Sequence, residues 1–299
     1  MKTKYLSVKI NGVSGEAQSI NVFACDRNPY EIDKSRKAEK PEQTEEQSTA
    51  DRERCNISRA RSVIKELVLN NHWDYFATLT VSPEKYDRKD YPTIEKALRK
   101  FLNNYKARRC DEFRYLLIPE MHADGSWHFH GFFANINMAD MVQFKEGMQM
   151  SSYMVSKVRR GEILFDFVSY SKRFGFCDLE LISDKARCAS YVTKYITKNL
   201  GETASAMRSG ANLYYASQGL NRCKRAVASD VPCEALEALK TTARDGRVFC
   251  TDFGEGFDIA VPDGCEAGEY LTMLLDSLGI EVEYNKTVSA ADLLADAPW

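Results

Sequence analysis

Apolar and polar positions along the chain sort into a few stretches of distinct period. Tyr75-Phe76-Ala77-Thr78-Leu79-Thr80-Val81 alternates with a period of two and stops at Pro83, as a half-buried strand does. Ahead of it, Ile64, Leu67 and Val68 form a helical stripe that begins near Asn56, behind the capping candidates Asn56 and Ser58. Behind it, Thr93 opens a second helix with Ala97, Leu98, Phe101, Leu102 and Tyr105 on one side. Arg114 to Asn135 reads as a hairpin, followed by a helical stretch and a strand near Phe176 to Ile182. A further helix is predicted from about Asp184 to Leu200, ending at Gly201 as its C′ residue.

The two ends have a different character. A short, hairpin-like N-terminal element precedes Glu31 to Arg54, which is nearly devoid of apolar residues and reads as a linker or exposed loop. From about Glu234 a helix, two strand-like pieces and a helix near Glu266 to Leu278 make a small C-terminal unit. The order of elements predicts an α+β fold, an antiparallel sheet covered by helices on one side. Three parts follow: 1–54 as N-terminal element and polar linker, 55–228 as the central domain, and 229–299 as an acidic C-terminal unit.

Composition narrows the class. No stretch approaches the ~20 apolar residues of a membrane span, and the N-terminus lacks the apolar core of a signal peptide. The nine cysteines are odd in number and include no C-x-x-C pair, so neither a zinc ribbon nor a disulfide framework is indicated; reduced thiols in a cytoplasmic protein are expected. The net charge of −2 conceals an asymmetry. Thr251 to Trp299 holds eleven acidic residues against Lys286 alone, so the remainder of the chain is net positive. A basic body suits a polyanionic ligand, and the acidic end reads equally as a solvated module with no part in binding. The charged side of the second helix carries Arg99, Lys100, Arg108 and Arg109, and Arg222, Lys224 and Arg225 follow the aromatic pair Tyr214-Tyr215. Both groups are candidate DNA contacts; a solvated helix face and a surface loop are the plainer readings.

Of the four histidines, three lie between positions 122 and 130. In a strand, residues two apart share a face, so His128 and His130 point together while Phe129 points into the core. The turn sets what stands opposite. A two-residue loop Asp124-Gly125 would pair Glu120 with Phe129. A three-residue loop Ala123-Asp124-Gly125, with Gly125 in the left-handed region, places Glu120 across from His128 and Ile118 across from His130. The second register gathers Glu120, His128 and His130 as ligands of a divalent metal and lets Trp127 and Phe129 share the buried face. His122 then lies nearer the turn as an outer contact. Surface histidines on an ordinary hairpin are the other reading.

In the helix predicted after Asp184, Tyr191, Lys194, Tyr195 and Lys198 follow at spacings that put them on one face. Ala189, Val192, Ile196 and Leu200 form the adjoining apolar stripe. Lysine charge favours the ionised form of a phenol and attracts phosphate, so the face suits phosphoryl transfer to tyrosine. Half-buried tyrosines beside extended lysines would give the same pattern.

Taken as an ordered set, these residues resemble the HUH endonuclease superfamily, specifically its rolling-circle replication initiators. Phe76-Ala-Thr-Leu-Thr80 is similar to the first-motif strand, His128-Phe-His130 to His-hydrophobe-His, and Tyr191-Val-Thr-Lys194 to Tyr-x-x-Lys. The doubled Tyr191 and Tyr195 resemble the two-tyrosine initiators of small single-stranded DNA phages and related plasmids. The resemblance covers roughly Asn56 to Arg225. It implies an RRM-like central sheet with the H-x-H strand in the middle, and Mg²⁺ or Mn²⁺ held by Glu120, His128 and His130. It also implies nicking and rejoining of single-stranded DNA at a replication origin through Tyr191 and Tyr195, aided by Lys194 and Lys198. With no G-x-x-x-x-G-K-[ST] in the chain, helicase work falls to a host partner, as does polymerisation. A relaxase or single-strand transposase shares the same logic, and a non-catalytic DNA-binding regulator retaining the fold is the alternative outside catalysis.

Overall fold

The computed structural model describes residues 3–13, 18–26, 45–183, 188, 192, 200–207, 211–251 and 254–284. In chain order, β1 (Thr3–Asn11) and β2 (Ser19–Cys25) are followed by α1 (Glu45–Leu69) and β3 (Tyr75–Thr80). Next come α2 (Tyr91–Arg108), β4 (Arg114–Met121) and β5 (Trp127–Ala134). The middle of the chain holds β6 (Met141–Gln143), α3 (Ser152–Arg159), β7 (Leu164–Phe167), α4 (Val168–Arg173) and β8 (Cys177–Leu181). Then follow α5 (Leu200–Ala206), β9 (Tyr215–Ala216), β10 (Lys224–Pro232) and α6 (Cys233–Lys240). The last elements are β11 (Ala243–Thr251), β12 (Gly254–Ala260), α7 (Ala267–Ser277) and β13 (Glu283–Tyr284). No helix among the described residues is long and apolar enough to cross a membrane.

The architecture is α+β, with two antiparallel sheets in two compact units. The first unit comprises Met1–Arg59, Leu69–Asn71 and Asn221–Trp299. Its six strands run in the order β11-β12-β2-β1-β10-β13. Leu6, Val8 and Ile10 alternate along β1 and share a core with Ile20 and Val22 of β2, Leu236 and Leu239 of α6, and Leu271 and Leu275 of α7. Strands from the two ends of the chain therefore pair with each other, Thr3 opposite Pro232. Local patterning shows that each end can form strands, but it does not show that they are partners.

The linker expectation fails in its last part. Glu45 to Arg54 belongs to α1, which starts well before Asn56. Scarcity of apolar residues argues against a buried face, not against a helix: Glu, Gln, Arg and Ala propagate a solvated one, and Arg52 to Asn56 are indeed exposed.

The second unit comprises Ala60–Val68 and His72–Leu220. Its sheet runs β6-β7-β8-β3-β5-β4-β9, so β5, the H-x-H strand, lies between β3 and β4 in the interior of the sheet. On one face, Ala77, Leu79, Leu117, Trp127, Phe129 and Phe133 meet Tyr91, Ile94, Leu98, Phe101, Leu102 and Tyr105 of α2. Asp90 caps α2 by accepting the Thr93 N–H at 3.2 Å, and Pro92 occupies the first turn, where its missing N–H costs nothing. The stretch after the hairpin, read as helical from the sequence, also contains β6 and β7. Strands of three and four residues are too short to display a period. The helix expected from Asp184 to Leu200 lies outside the described residues except at Cys188, Val192 and Leu200. Of its apolar stripe, Val192 is fully buried.

Candidate metal centre

The β4–β5 turn determines what the sheet can present. His122 N–H donates to the Ser126 carbonyl at 2.9 Å and Gly125 N–H to the His122 carbonyl at 2.8 Å, leaving Ala123-Asp124-Gly125 as the loop. Gly125 has φ +80°, a conformation that glycine adopts freely. Asp124 reinforces the turn by accepting from both N–H and Oγ of Ser126. The register that follows sets Glu120 opposite His128 and Ile118 opposite His130. Trp127 and Phe129 go to the buried face.

Glu120, His122 and His130 converge: one donor atom from each lies within 4.8 Å of the others. His130 Nε2 stands 2.7 Å from Glu120 Oε2, and His122 Nε2 stands 3.9 Å from the same oxygen. Glu120 and His130 are about four-fifths buried, whereas His122 is 45% exposed, so the cluster opens to solvent on the His122 side. Two imidazoles and a carboxylate form a facial set that fits a divalent ion with coordination positions left for oxygen ligands.

His128 takes a different place from the one expected of a ligand. Its ring stacks on His122 with centroids 3.9 Å apart, its Nδ1 lies 3.3 Å from Thr80 Oγ1, and its Nε2 lies 3.1 Å from Arg88 NH2. A guanidinium can only donate, so Nε2 is the acceptor and the ring proton resides on Nδ1. Burial pushes the His128 pKa down to about 4, with His122, His130 and Arg88 adding to the depression and Glu120 opposing it. The ring is therefore neutral at physiological pH. In this arrangement His122 joins Glu120 and His130, and the Nε2 of His128 faces Arg88.

Thr78 and Thr80 complete the face. Each stands directly across from a histidine of β5, and Thr78 Oγ1 lies 3.3 Å from His130 Nδ1. Hydroxyls behind both imidazoles fix ring orientation, the usual task of groups that back the ligands of a metal. The alternation Phe-Ala-Thr-Leu-Thr puts the two threonines on one face and was the available signal for them. Asp178 pairs with Thr78 from β8, and its buried Oδ1 has no hydrogen-bond partner among the described residues. Arg88 comes from the loop between β3 and α2, where no periodicity marks it.

The remaining predicted residues divide into three groups. Tyr191, Lys194, Tyr195 and Lys198 lie outside the described residues. Arg99, Lys100, Arg108 and Arg109 are on or capping α2, whose Tyr91 packs 4.3 Å from Trp127 on the face of the sheet opposite the cluster. Helical period told which side of α2 is buried, not which side of the sheet it covers. Arg99 pairs with Glu95 at 3.2 Å and, with Asn103 and Lys106, borders a groove toward Tyr214 and Tyr215. Arg222, Lys224 and Arg225 belong to the first unit, where Lys224 and Arg225 begin β10 opposite Ile10 and Lys9.

No curated protein and no solved structure matches the chain. Residues 74–200, which include β3, the β4–β5 hairpin and the whole histidine cluster, match the family of replication-associated proteins of the ORF2 type, a similarity that supports a role in replication initiation.

Proposed function

We propose that this protein starts rolling-circle replication by nicking single-stranded DNA at an origin and holding the cut end on a tyrosine. The observation that carries the reading is the convergence of Glu120, His122 and His130 on one face of an interior hairpin, within the stretch that matches a replication-associated family. A nitrogen-rich donor set favours Mn²⁺ over Mg²⁺, which prefers oxygen ligands. Such an ion would supply charge neutralisation at the scissile phosphate.

The chain's own residues do the rest. Tyr191 Oη forms the new bond to phosphorus, the bond to the 3′ oxygen breaks, and the phenolic proton ends on the released 3′-hydroxyl. The phosphotyrosine conserves the energy of the phosphodiester, so resealing needs no ATP. Lys194 offsets negative charge on phenol and phosphate, and Tyr195 with Lys198 serves a second, terminating transfer. The sequence interval is consistent with this: α5 begins two residues after Lys198, and its Thr203 Oγ1 accepts from Met121 N–H, next to Glu120, at 3.5 Å. The 3′-hydroxyl primes synthesis by a partner polymerase, with strand opening left to a partner helicase.

The test incubates the protein with Mn²⁺ and single-stranded origin oligonucleotides, and looks for an adduct that survives SDS. Tyr191→Phe should abolish the first adduct, and Tyr195→Phe should spare nicking while impairing circle closure. Tight binding without any adduct would favour a DNA-binding regulator instead; cleavage of transposon ends in preference to origins would favour a transposase.

A further inference from the structure

Arg88 is held at the edge of the cluster from two directions. Its carbonyl accepts the Trp127 N–H at 3.0 Å, which ties the loop to the start of β5. Its NH2 donates to Ser126 Oγ at 3.0 Å and to His128 Nε2 at 3.1 Å. Its Nε is buried and has no acceptor among the described residues. A buried N–H left without an acceptor is uncommon in a side chain whose task is to brace a turn. The acceptors it does have are a hydroxyl and an imidazole, not a carboxylate. The cation is thus anchored by its backbone while its charge and one donor remain unused, beside a cluster suited to a second cation.

We propose that Arg88 binds a nonbridging oxygen of the phosphodiester brought to the Glu120–His122–His130 cluster, releasing His128 as it does so. The inference rests on the preceding reading of the cluster as a metal and nucleic-acid site. A planar guanidinium matches the paired oxygens of a phosphodiester, and charge-assisted bonds to them are stronger than those to an imidazole. A guanidinium next to a divalent ion is repulsive until an anion stands between them. Phosphodiester binding removes that repulsion and also frees the lone pair of His128 Nε2. Ion and DNA therefore favour the same arrangement, and each must tighten the other.

The experiment titrates Mn²⁺ into the full chain, following free Mn²⁺ by electron paramagnetic resonance, with and without an oligothymidylate. The wild type should bind Mn²⁺ at least about fivefold tighter when the oligonucleotide is present. Arg88→Ala should bind Mn²⁺ alone as tightly as the wild type, or more tightly, and show no tightening. If Arg88→Ala does not fold, Arg88→Gln, able to retain the Ser126 contact, carries the same expectation. A variant that keeps the wild-type tightening, or loses Mn²⁺ affinity on its own, would overturn the role of Arg88. Mn²⁺ and oligonucleotide that both bind the wild type without mutual effect would overturn this inference alone. A wild type that binds no Mn²⁺ would overturn the cluster reading beneath it.

Discussion

His122 and His128 lie ring on ring, 3.9 Å between centroids and 12° from parallel. The turn produces this contact. Because His122 closes a three-residue loop against Ser126, it stands two residues beyond Glu120 on the same face and folds over the ring of His128. His122 then reaches toward the Glu120 carboxylate, while His128 serves as the surface it rests on and turns its own Nε2 to Arg88.

The division of labour between these rings is testable. Without DNA, His122→Ala should weaken Mn²⁺ binding by at least about tenfold, since it removes a donor and not only a support. His128→Phe, which preserves the stacking surface, should weaken it less. A calorimetric or spin-resonance titration measures both. The opposite ranking would restore His128 as the third ligand.

The threonines of β3 should rank in the same way. Thr78 stands behind His130, a member of the cluster, and Thr80 behind His128. Thr78→Val keeps side-chain shape and removes the hydroxyl, so Mn²⁺ affinity should fall by about 10–100-fold, as for other partners that orient a ligating imidazole. Thr80→Val should have a smaller effect on the same titration. Equal losses would mean that both imidazoles bind the ion together.

Much of this face was legible because two-residue alternation and turn length are local properties. Phe76 to Thr80 and His128 to His130 declare their faces by period, and Gly125 after Ala123-Asp124 declares the loop. What escaped needed information from elsewhere in the chain. Nothing near Thr3 announces Pro232 as a partner. The stripe on α2 could not reveal that its basic side lies across the sheet from the histidines. His122 was placed on the correct face, yet its rotation toward Glu120 depends on the stacking with His128 and on Arg88, a loop residue that carries no pattern at all.

Asp178 supplies a pH dependence with a definite sign. Burial pushes its pKa up to about 6; Glu180 adds to the rise and Lys157 opposes it. The folded protein then holds a proton between about pH 4 and 6 that the unfolded chain has released, so stability must fall as pH rises through that window. Asp178→Asn removes the titration. It should match the wild type near pH 4 and exceed it above pH 6 by up to about 3 kcal/mol. Chemical denaturation across pH 4–8 provides the comparison, and parallel profiles for the two proteins would show that Asp178 is not the group responsible.

Gly131 directly follows His130 and pairs with Leu117 on one side and Ala77 on the other. A β-carbon there would stand 1.9 Å from the Leu116 carbonyl oxygen and 2.9 Å from the Leu117 Cα, distances no side-chain rearrangement can relieve because both obstacles are backbone. Gly131→Ala must therefore push β4 away from β5, along the hairpin that holds Glu120 and His130 within 2.7 Å. The cost should be about 1–3 kcal/mol of stability, as for other overpacked interiors. The displacement should also reach the cluster, so Mn²⁺ affinity should drop in protein that is still folded. Circular dichroism during denaturation reads the first effect and a Mn²⁺ titration reads the second. An alanine variant with an unchanged midpoint would mean that the two strands have room to spare at this point, and that the close approach of their backbones does not set the spacing of the donors.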